Sequence, residues 1–186
     1  HIHLPKCGGT TIDHIFQKFA FNNPQLNFLR IKTKKNFPSD NENLKKILTN
    51  ANTRLYVSGH LQENYLDSIT SDIFKFSVIR DPYQRLVSHY KFHLFKHELI
   101  PENFSMKDYI YQEYKLNRDN LLIRTFSNNL QQKIVIDDAI INIANKNLMK
   151  IHLLTNIENW NTFVNILISI FDLPNVAYTR YQEHKY

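Results

Sequence analysis

Glycine and cysteine are scarce in this chain, and each scarcity excludes a kind of site. The 186 residues include three glycines and one cysteine. So few glycines cannot supply a G-x-G-x-x-G dinucleotide-binding turn around the pair Gly8 and Gly9. A single cysteine excludes an internal disulfide, and it favours the cytoplasm over an oxidising compartment.

Long apolar runs are missing as well. No stretch approaches the roughly 18 apolar residues that cross a membrane, and no charged-then-apolar leader precedes the first expected strand. We therefore expect a soluble chain without a membrane span. The sequence begins inside that strand, so a signal or an anchor could precede it. Neither H-E-x-x-H nor C-x-x-C occurs, so neither motif indicates a metal site.

Length and charge limit the number of domains and the kinds of ligand that this chain could have. A chain of 186 residues fits one domain with a substantial core, which we place over residues 1–186. The formal net charge of +6 suits an anionic ligand. The basic residues are scattered and form no aromatic-studded repeat, so we expect no nucleic-acid partner.

The first twenty residues have the pattern of an anion site. A short apolar run ends at Pro5, a turn follows over residues 6–11, and apolar residues then recur at helical spacing through Phe19. The first N–H groups of a helix lack intrahelical partners and lie at the positive end of its dipole, and paired glycines let the backbone approach a phosphate. The groups offered to such a ligand come from Lys6, Gly8, Gly9, Thr10 and Thr11. We therefore predict a strand, a loop and a helix around a phosphate.

Two common phosphate-binding patterns do not fit this turn. The Walker pattern G-x-x-x-x-G-K-[ST] places its lysine after the glycines, whereas Lys6 precedes them. A cysteine phosphatase with Cys7 as its nucleophile would need an arginine six residues on, and that residue is Asp13. What remains is a P-K-x-G-G-T-T loop.

A histidine follows the second expected strand. Residues 54–58 favour β structure, and the run stops at Gly59 and His60. Ligands of open parallel sheets bind beyond the carboxyl ends of the strands, so His60 is placed beside the expected phosphate loop. A structural histidine and a general base are both compatible with this position. Glu63 is the alternative base.

A second stretch that could hold an anion follows the strand predicted at residues 75–79. Asp81 is a good N-cap and Pro82 suits the first helical position, so we predict a helix here. Arg80 at the strand end and Ser88 two turns along the helix could hold a second phosphate. An ion pair between Arg80 and Asp81 is the alternative. The residues expected on the buried face of the helix are Tyr83, Leu86, Val87, Tyr90 and Leu94.

The rest of the chain predicts alternating strands and helices. We expect a basic surface loop over residues 26–53, containing Arg30 and a short helix from Asp40 to Leu48. Further helices are expected over residues 106–114 and 118–126, and a third from an Asp137 cap to Leu148. The inward residues of that third helix are Ile140, Ile141, Ala144 and Leu148. This order favours an α/β fold, with a parallel sheet between helices on both faces.

The two anion stretches together resemble those of sulfotransferases. P-K-C-G-G-T-T at residues 5–11 is similar to their 5′-phosphosulfate loop, and R-D-P-Y-Q-R-L-V-S-H-Y at residues 80–90 is similar to their 3′-phosphate motif. The likeness is greatest to carbohydrate sulfotransferases of the uronosyl 2-O type and their bacterial relatives, where a histidine motif resembles Gly59 and His60. Weaker likeness at residues 120–124 and 151–171 extends it over nearly the whole chain. No R-K-G-x-x-G-D-W-K motif occurs, which disfavours the cytosolic aryl and steroid branch.

The resemblance implies a P-loop-like three-layer fold, with a central parallel sheet flanked by helices, and a reaction. The donor would be 3′-phosphoadenylyl sulfate (PAPS), and the acceptor a hydroxyl, most simply that of a saccharide. No metal would be required. The residues implied for the donor are Lys6, Cys7, Gly8, Gly9, Thr10 and Thr11 at the 5′-phosphosulfate, and Arg80 and Ser88 at the 3′-phosphate. Lys6 would also stabilise the leaving phosphate, and His60 would be the general base.

Other interpretations stay open beside this one. Asp81 could mimic the acid of a nucleotide kinase or hydrolase with an atypical P-loop, and a non-catalytic nucleotide- or glycan-binding module could share the fold. Cys7 stands where relatives have threonine or serine. Its place at a helix N-terminus beside Lys6 predicts a lowered thiol pKa and sensitivity to oxidation or alkylation. Three histidines, His89, His93 and His97, recur at a spacing of four residues along one helix. We expect this histidine ladder to lie beside the core or the acceptor cleft and not to form a metal site. We expect the aromatic and basic tail, residues 178–186, to be a frayed terminus.

Overall fold

The computed structural model describes residues 1–31, 54–64, 73–96, 100–116, 118–129 and 134–173. The helices and strands, in chain order, are α1 (Gly9–Asn22), β1 (Leu26–Ile31), β2 (Arg54–Gly59), β3 (Phe76–Ile79), α2 (Pro82–Lys91), α3 (Met106–Lys115), α4 (Leu121–Phe126), α5 (Asp138–Leu148), β4 (Leu153–Asn156) and α6 (Trp160–Phe171). A π-helical turn, Phe92–Lys96, continues from α2, and a 3-10 turn, Ile157–Asn159, precedes α6.

The strands pair in parallel, as the alternation of strands and helices predicted. β1 pairs with β2, and β3 pairs with β4. Ile2 lies between these two pairs, where it forms parallel bridges to Gly59 and Ser77. Its N–H donates to the carbonyl of Phe76 at 3.0 Å, and the N–H of His3 donates to the carbonyl of Gly59 at 2.8 Å. The start of the chain therefore runs beside both β2 and β3, and the protein is of mixed α/β class.

An aromatic core holds α1 and α6 against these strands. Phe16 of α1 stacks on Tyr56 of β2, with ring centroids 4.0 Å apart, and lies 6.0 Å from Phe76 of β3. Phe163 of α6 packs against Phe76 from another side, at 6.0 Å. Helical spacing of apolar residues predicted the inward face of α6, and its buried residues are Trp160, Phe163, Val164 and Leu167. Because aromatic side chains bury the most area each, this core fixes the position of the first turn of α1.

Local capping explains where the later helices begin. The carboxylate of Asp81 accepts the N–H of Gln84 at 2.8 Å, and Pro82 occupies the first helical position of α2. Asp137 accepts the N–H of Ile140 at 2.9 Å at the start of α5. Both caps confirm their predictions, because capping depends on residues only three positions apart.

Parts of the sequence prediction are wrong. Residues 26–31, expected in a surface loop, form β1, in which Arg30 is the parallel partner of Ser58. Tyr83, predicted on the buried face of α2, is 69% exposed, so that assignment is wrong. The other residues predicted on this face are half-buried: Leu86, Val87, Tyr90 and Leu94. Ile141 is 37% exposed on α5. Helical spacing identifies a face, but how much of it is covered depends on neighbouring elements. The predicted short helix and basic loop over residues 32–53 lie outside the described residues, as does the tail from residue 174.

Within the described ranges, no helix is both long and apolar enough to cross a membrane.

Two phenylalanines of α1 test the importance of the core. Phe16 is 1% exposed and Phe21 is 90% exposed. We expect Phe16→Ala to lower the free energy of unfolding by about 3–5 kcal/mol, because it leaves a cavity among stacked rings. The matched change Phe21→Ala should alter it by less than about 0.5 kcal/mol. Urea denaturation measures both values, and equal losses would contradict this core.

Candidate active site

The turn before α1 has an unusual backbone. Lys6 has φ +66° and Gly8 has φ +80°, so both are in the left-handed region. Glycine tolerates this conformation at position 8, and a Cβ there would lie 2.4 Å from Cζ3 of Trp160. The carbonyl of Gly8 accepts the N–H groups of Thr11 at 3.0 Å and Ile12 at 3.4 Å, which closes the first helical turn. The core residue Trp160 therefore requires a glycine at this point of the loop.

The start of α1 presents free hydrogen-bond donors. In the part of the chain that the structure describes, no acceptor faces the backbone N–H groups of Gly8, Gly9 or Thr10. The N-cap residue is Gly8, which has no side chain to accept from them, and the first turn contains no acidic residue. Such donors lie at the positive end of the helix dipole. Such donors suit an anion held through the backbone, and the anion site that the sequence predicted for this turn stays a prediction.

The ring of His3 packs directly against this loop. His3 is 6% exposed, and a Cβ added to Gly9 would lie 2.1 Å from its Cδ2 atom. Gly9 therefore allows the loop backbone to rest directly on an imidazole. Sequence reasoning missed this role, because only the folded chain brings residue 3 back against the start of α1.

Lys6 connects the loop to the helix of the second anion motif. Its ammonium lies 4.0 Å from the ring centroid of Phe92, the first residue of the π-helical turn after α2. A cation over an aromatic face is attracted by the ring quadrupole. The two anion motifs, far apart in sequence, are thus brought together in the fold.

Arg80 and Arg85 place further positive charge at this junction. Arg80 directly follows β3, and its buried Nε atom has no hydrogen-bond partner among the described residues. The alternative ion pair with Asp81 is not formed, since that carboxylate caps α2 instead. Both arginines lie close enough to Cys7 to act on its pKa. Arg85 was not predicted as a site residue. Its position four residues after the Asp81 cap, in the first turn of the helix that follows Arg80, could have indicated one. Ser88, half-buried, lies on α2 with Arg85.

His60 lies just beyond β2, as predicted. Its Nδ1–H donates to the carbonyl of His3 at 2.7 Å, which leaves Nε2 as the ring atom with a free lone pair. Burial, and after it the neighbouring His3, lower the pKa of His60 to about 4. The imidazole is therefore neutral at neutral pH, the state in which it can accept a proton. Glu63, the alternative base, is buried and paired with Lys75 and, at 4.0 Å, with Lys150.

Cys7 is not the reactive thiol that its position predicted. It is 2% exposed, and its Sγ donates to the carbonyl of Pro5 at 3.6 Å. Burial raises the pKa of Cys7 to about 11, although Arg85 and Arg80 oppose this shift. The expected lowering of the thiol pKa is wrong, because loss of solvation outweighs the nearby positive charges.

A buried carboxylate in α1 is the functional neighbour that sequence reasoning missed. Asp13 accepts from the hydroxyl of Tyr56 at 2.9 Å, and its oxygens lie 3.3 Å from Nδ1 of His1 and 3.4 Å from Nε of Arg30. Burial alone would raise the pKa of Asp13, but the neighbouring His1 and His3 outweigh it and lower that pKa. Its signal in the sequence is an acid between Ile12 and Phe16, on the face that the apolar spacing turns inward.

The histidine ladder lies between two helices. The hydroxyl of Tyr109 on α3 lies 2.8 Å from Nδ1 of His89 and 3.1 Å from Nδ1 of His93. Nδ1 of His89 is also 3.6 Å from a carboxylate oxygen of Glu113. His97 lies outside the described residues. Over the ranges described, no group of three or more His, Cys, Asp or Glu side chains could hold a metal ion.

The thiol of Cys7 supplies a simple test of this geometry. With its pKa raised to about 11, roughly one molecule in a thousand carries a thiolate at pH 8. We expect iodoacetamide to alkylate the folded protein at least about 100-fold more slowly than the urea-unfolded chain, as followed by mass spectrometry. Equal rates in the two states would contradict a buried thiol under this loop.

Comparison with known proteins identifies the family of this chain. A family model described as the sulfotransferase family matches residues 1–166, a range that includes both anion motifs and His60. A search of curated proteins gave no match. Since the family model covers most of the chain, this protein belongs to the sulfotransferase family, whose members transfer a sulfuryl group to an acceptor hydroxyl.

Proposed function

We propose that this protein transfers the sulfuryl group of PAPS to a hydroxyl of a carbohydrate, by in-line transfer on a P-loop-like fold with a central parallel sheet. Family membership makes it a transferase of class EC 2.8.2. The observation that carries the proposal is the set of free N–H groups at Gly8, Gly9 and Thr10, beside Lys6. The saccharide acceptor and the single domain over residues 1–186 belong to the same proposal, and the motif resemblance supports them.

The 5′-phosphosulfate of the donor fits the first loop. Backbone donors at the positive end of α1 suit its oxygens, and Thr10 would add a hydroxyl group. Thr11, which the resemblance also assigns to the donor, is 3% exposed. The thiol of Cys7 is buried and its N–H donates to the carbonyl of Leu4 at 3.3 Å, so Cys7 would contribute through its place in the loop backbone. Lys6 would stabilise the negative charge that develops on the leaving phosphate as the S–O bond breaks. An ammonium can do this without a metal.

The 3′-phosphate fits the second motif. Arg80 supports this assignment, because its buried Nε atom has no acceptor in the described part of the chain and suits an anionic partner. Ser88 would add a hydroxyl from α2, and Arg85 would add charge nearby. Separate binding sites for the 5′-phosphosulfate and the 3′-phosphate of one nucleotide would orient the sulfuryl group for in-line attack.

His60 would accept the proton of the acceptor hydroxyl. As the new bond from the acceptor oxygen to sulfur forms, the bond from sulfur to the phosphate oxygen breaks, and the proton passes to His60 Nε2. Its neutral state and its fixed Nδ1–H support this role, since Nε2 then holds the free lone pair. The products are a sulfate ester and adenosine 3′,5′-bisphosphate.

The kinase alternative assigns Asp81 as the acid that binds magnesium. One oxygen of this carboxylate accepts the N–H of Gln84 at 2.8 Å and caps α2, which gives Asp81 a structural role. That role and the family membership both favour the transferase proposal.

Substitution of His60 tests the chemical step. We expect His60→Gln to keep the affinity for adenosine 3′,5′-bisphosphate within about threefold, and to reduce sulfuryl transfer from labelled PAPS to saccharide acceptors by at least about 100-fold. The matched control is His14→Gln, which removes an exposed histidine of α1 and should leave both values unchanged. Full turnover in His60→Gln would reject the base. Loss of bisphosphate binding would instead assign His60 to the donor site.

A further inference from the structure

We infer that His3 is a positioning residue that couples the donor loop to the base. The inference deepens the proposed function, because it takes the roles of the loop and of His60 from there. It rests on contacts that His3 makes in three directions: with Gly9 of the loop, with His60, and with Asp13 of α1.

The first contact fixes the loop. The His3 ring fills the space where a side chain at position 9 would stand, with Cδ2 at 2.1 Å and Nε2 at 2.3 Å from an added Cβ. The N–H of Gly9 is one of the free donors proposed for the donor anion. A shift of the imidazole would therefore move the backbone that binds the phosphosulfate.

The second contact fixes the base. The carbonyl of His3 accepts the Nδ1–H of His60 at 2.7 Å, which selects the tautomer with a free Nε2. The two rings are 4.9 Å apart between centroids, with an angle of 42° between their planes. At this distance, a proton on one imidazole opposes a proton on the other.

The third set of contacts holds His3 itself. Its Nδ1 lies 3.5 Å from a carboxylate oxygen of Asp13, and its ring stacks on His1 with centroids 5.4 Å apart. Its backbone N–H donates to the carbonyl of Gly59. His3 is thus held by α1 and by β2, the two elements that carry the donor loop and the base.

The charges around His60 determine what removal of the His3 ring would do. Burial has the largest effect and opposes a proton on His60, and charges on His3 and Arg30 oppose it too. The His3 carbonyl and Asp13 favour the proton, and together these effects lower the pKa of His60 to about 4. A proton on His1 also opposes a proton on His60. In His3→Phe an aromatic ring and the backbone carbonyl remain, but the group that can take up a proton is absent. The pKa of His60 then rises towards 6.5, and a larger fraction of His60 is protonated at pH 5.

The decisive experiment follows the pKa of His60 directly. Histidine Cε1–H signals are titrated by NMR between pH 3.5 and 8 in wild type, His3→Phe and the control His14→Phe, with His60→Gln to assign the signal. We expect the His60 midpoint in His3→Phe to rise by at least about half a unit, and the acid limb of kcat/KM to move to higher pH with it. His14→Phe should change neither. A His60 midpoint that stays at its wild-type value in a folded His3→Phe protein would overturn the inference.

If His3→Phe does not fold, the wild-type titration alone decides. Coupled imidazoles titrate in shared steps, so the signals of His3 and His60 should each change at both midpoints. Independent single-step curves would overturn the inference. If the two titrations are coupled but the protein transfers no sulfuryl group, the inference about these two rings stands and the proposed function is rejected.

The loop side has its own test, a double-mutant cycle on bisphosphate affinity. Gly9→Ala alone should weaken binding at least about tenfold, because the added methyl displaces the His3 ring. In a His3→Ala background the methyl has room, so the second change should cost much less. Additive losses in the cycle would contradict direct contact between residues 3 and 9.

Discussion

The start of α1 is the constraint on which the other features of this site depend. Helices normally cover their first N–H groups with a capping side chain, yet Gly8 offers none and an acidic first-turn residue is absent. The free donors of Gly8, Gly9 and Thr10 are held in place by the core, with Trp160 against Gly8 and His3 against Gly9. A helix start left without a cap on a rigid support suits an anion that arrives from solution.

The groups around that helix start divide into two kinds. Lys6, Arg80 and Arg85 are cations gathered near the loop, where they can act on a phosphate. Below it, Asp13 carries a buried negative charge, and the histidines against it are held neutral by burial. Desolvation thus keeps His60 in its base form at neutral pH, and the same effect keeps the Cys7 thiol protonated. Burial is the largest cause of both pKa shifts, and at Cys7 it outweighs the opposing effect of Arg85 and Arg80.

Local features were the most predictable from the sequence. The caps Asp81 and Asp137 and the glycine pair before α1 depend on residues three or four positions apart, so their pattern was visible. β1 was missed because its partner β2 lies more than twenty residues away, and a basic stretch containing Arg30 resembles a loop until that pairing is known. The contacts of His3 with Gly9, His60 and Asp13 join the start of the chain to α1 and to the end of β2, and no sequence periodicity predicts them. The sign of the Cys7 shift was wrong for the same reason, since burial is a property of the whole fold.

The central claim is that a donor with a 3′-phosphate binds between the two motifs, and one titration tests it most directly. Calorimetry in metal-free buffer compares adenosine 3′,5′-bisphosphate with ADP, on the wild type, on Arg80→Ala and on Arg54→Ala as an exposed control. We predict that the bisphosphate binds at least about tenfold more tightly than ADP, about 1.4 kcal/mol, and that Arg80→Ala loses most of this advantage while Arg54→Ala keeps it. Equal binding of ADP, or binding that requires magnesium, would contradict the account and favour a kinase.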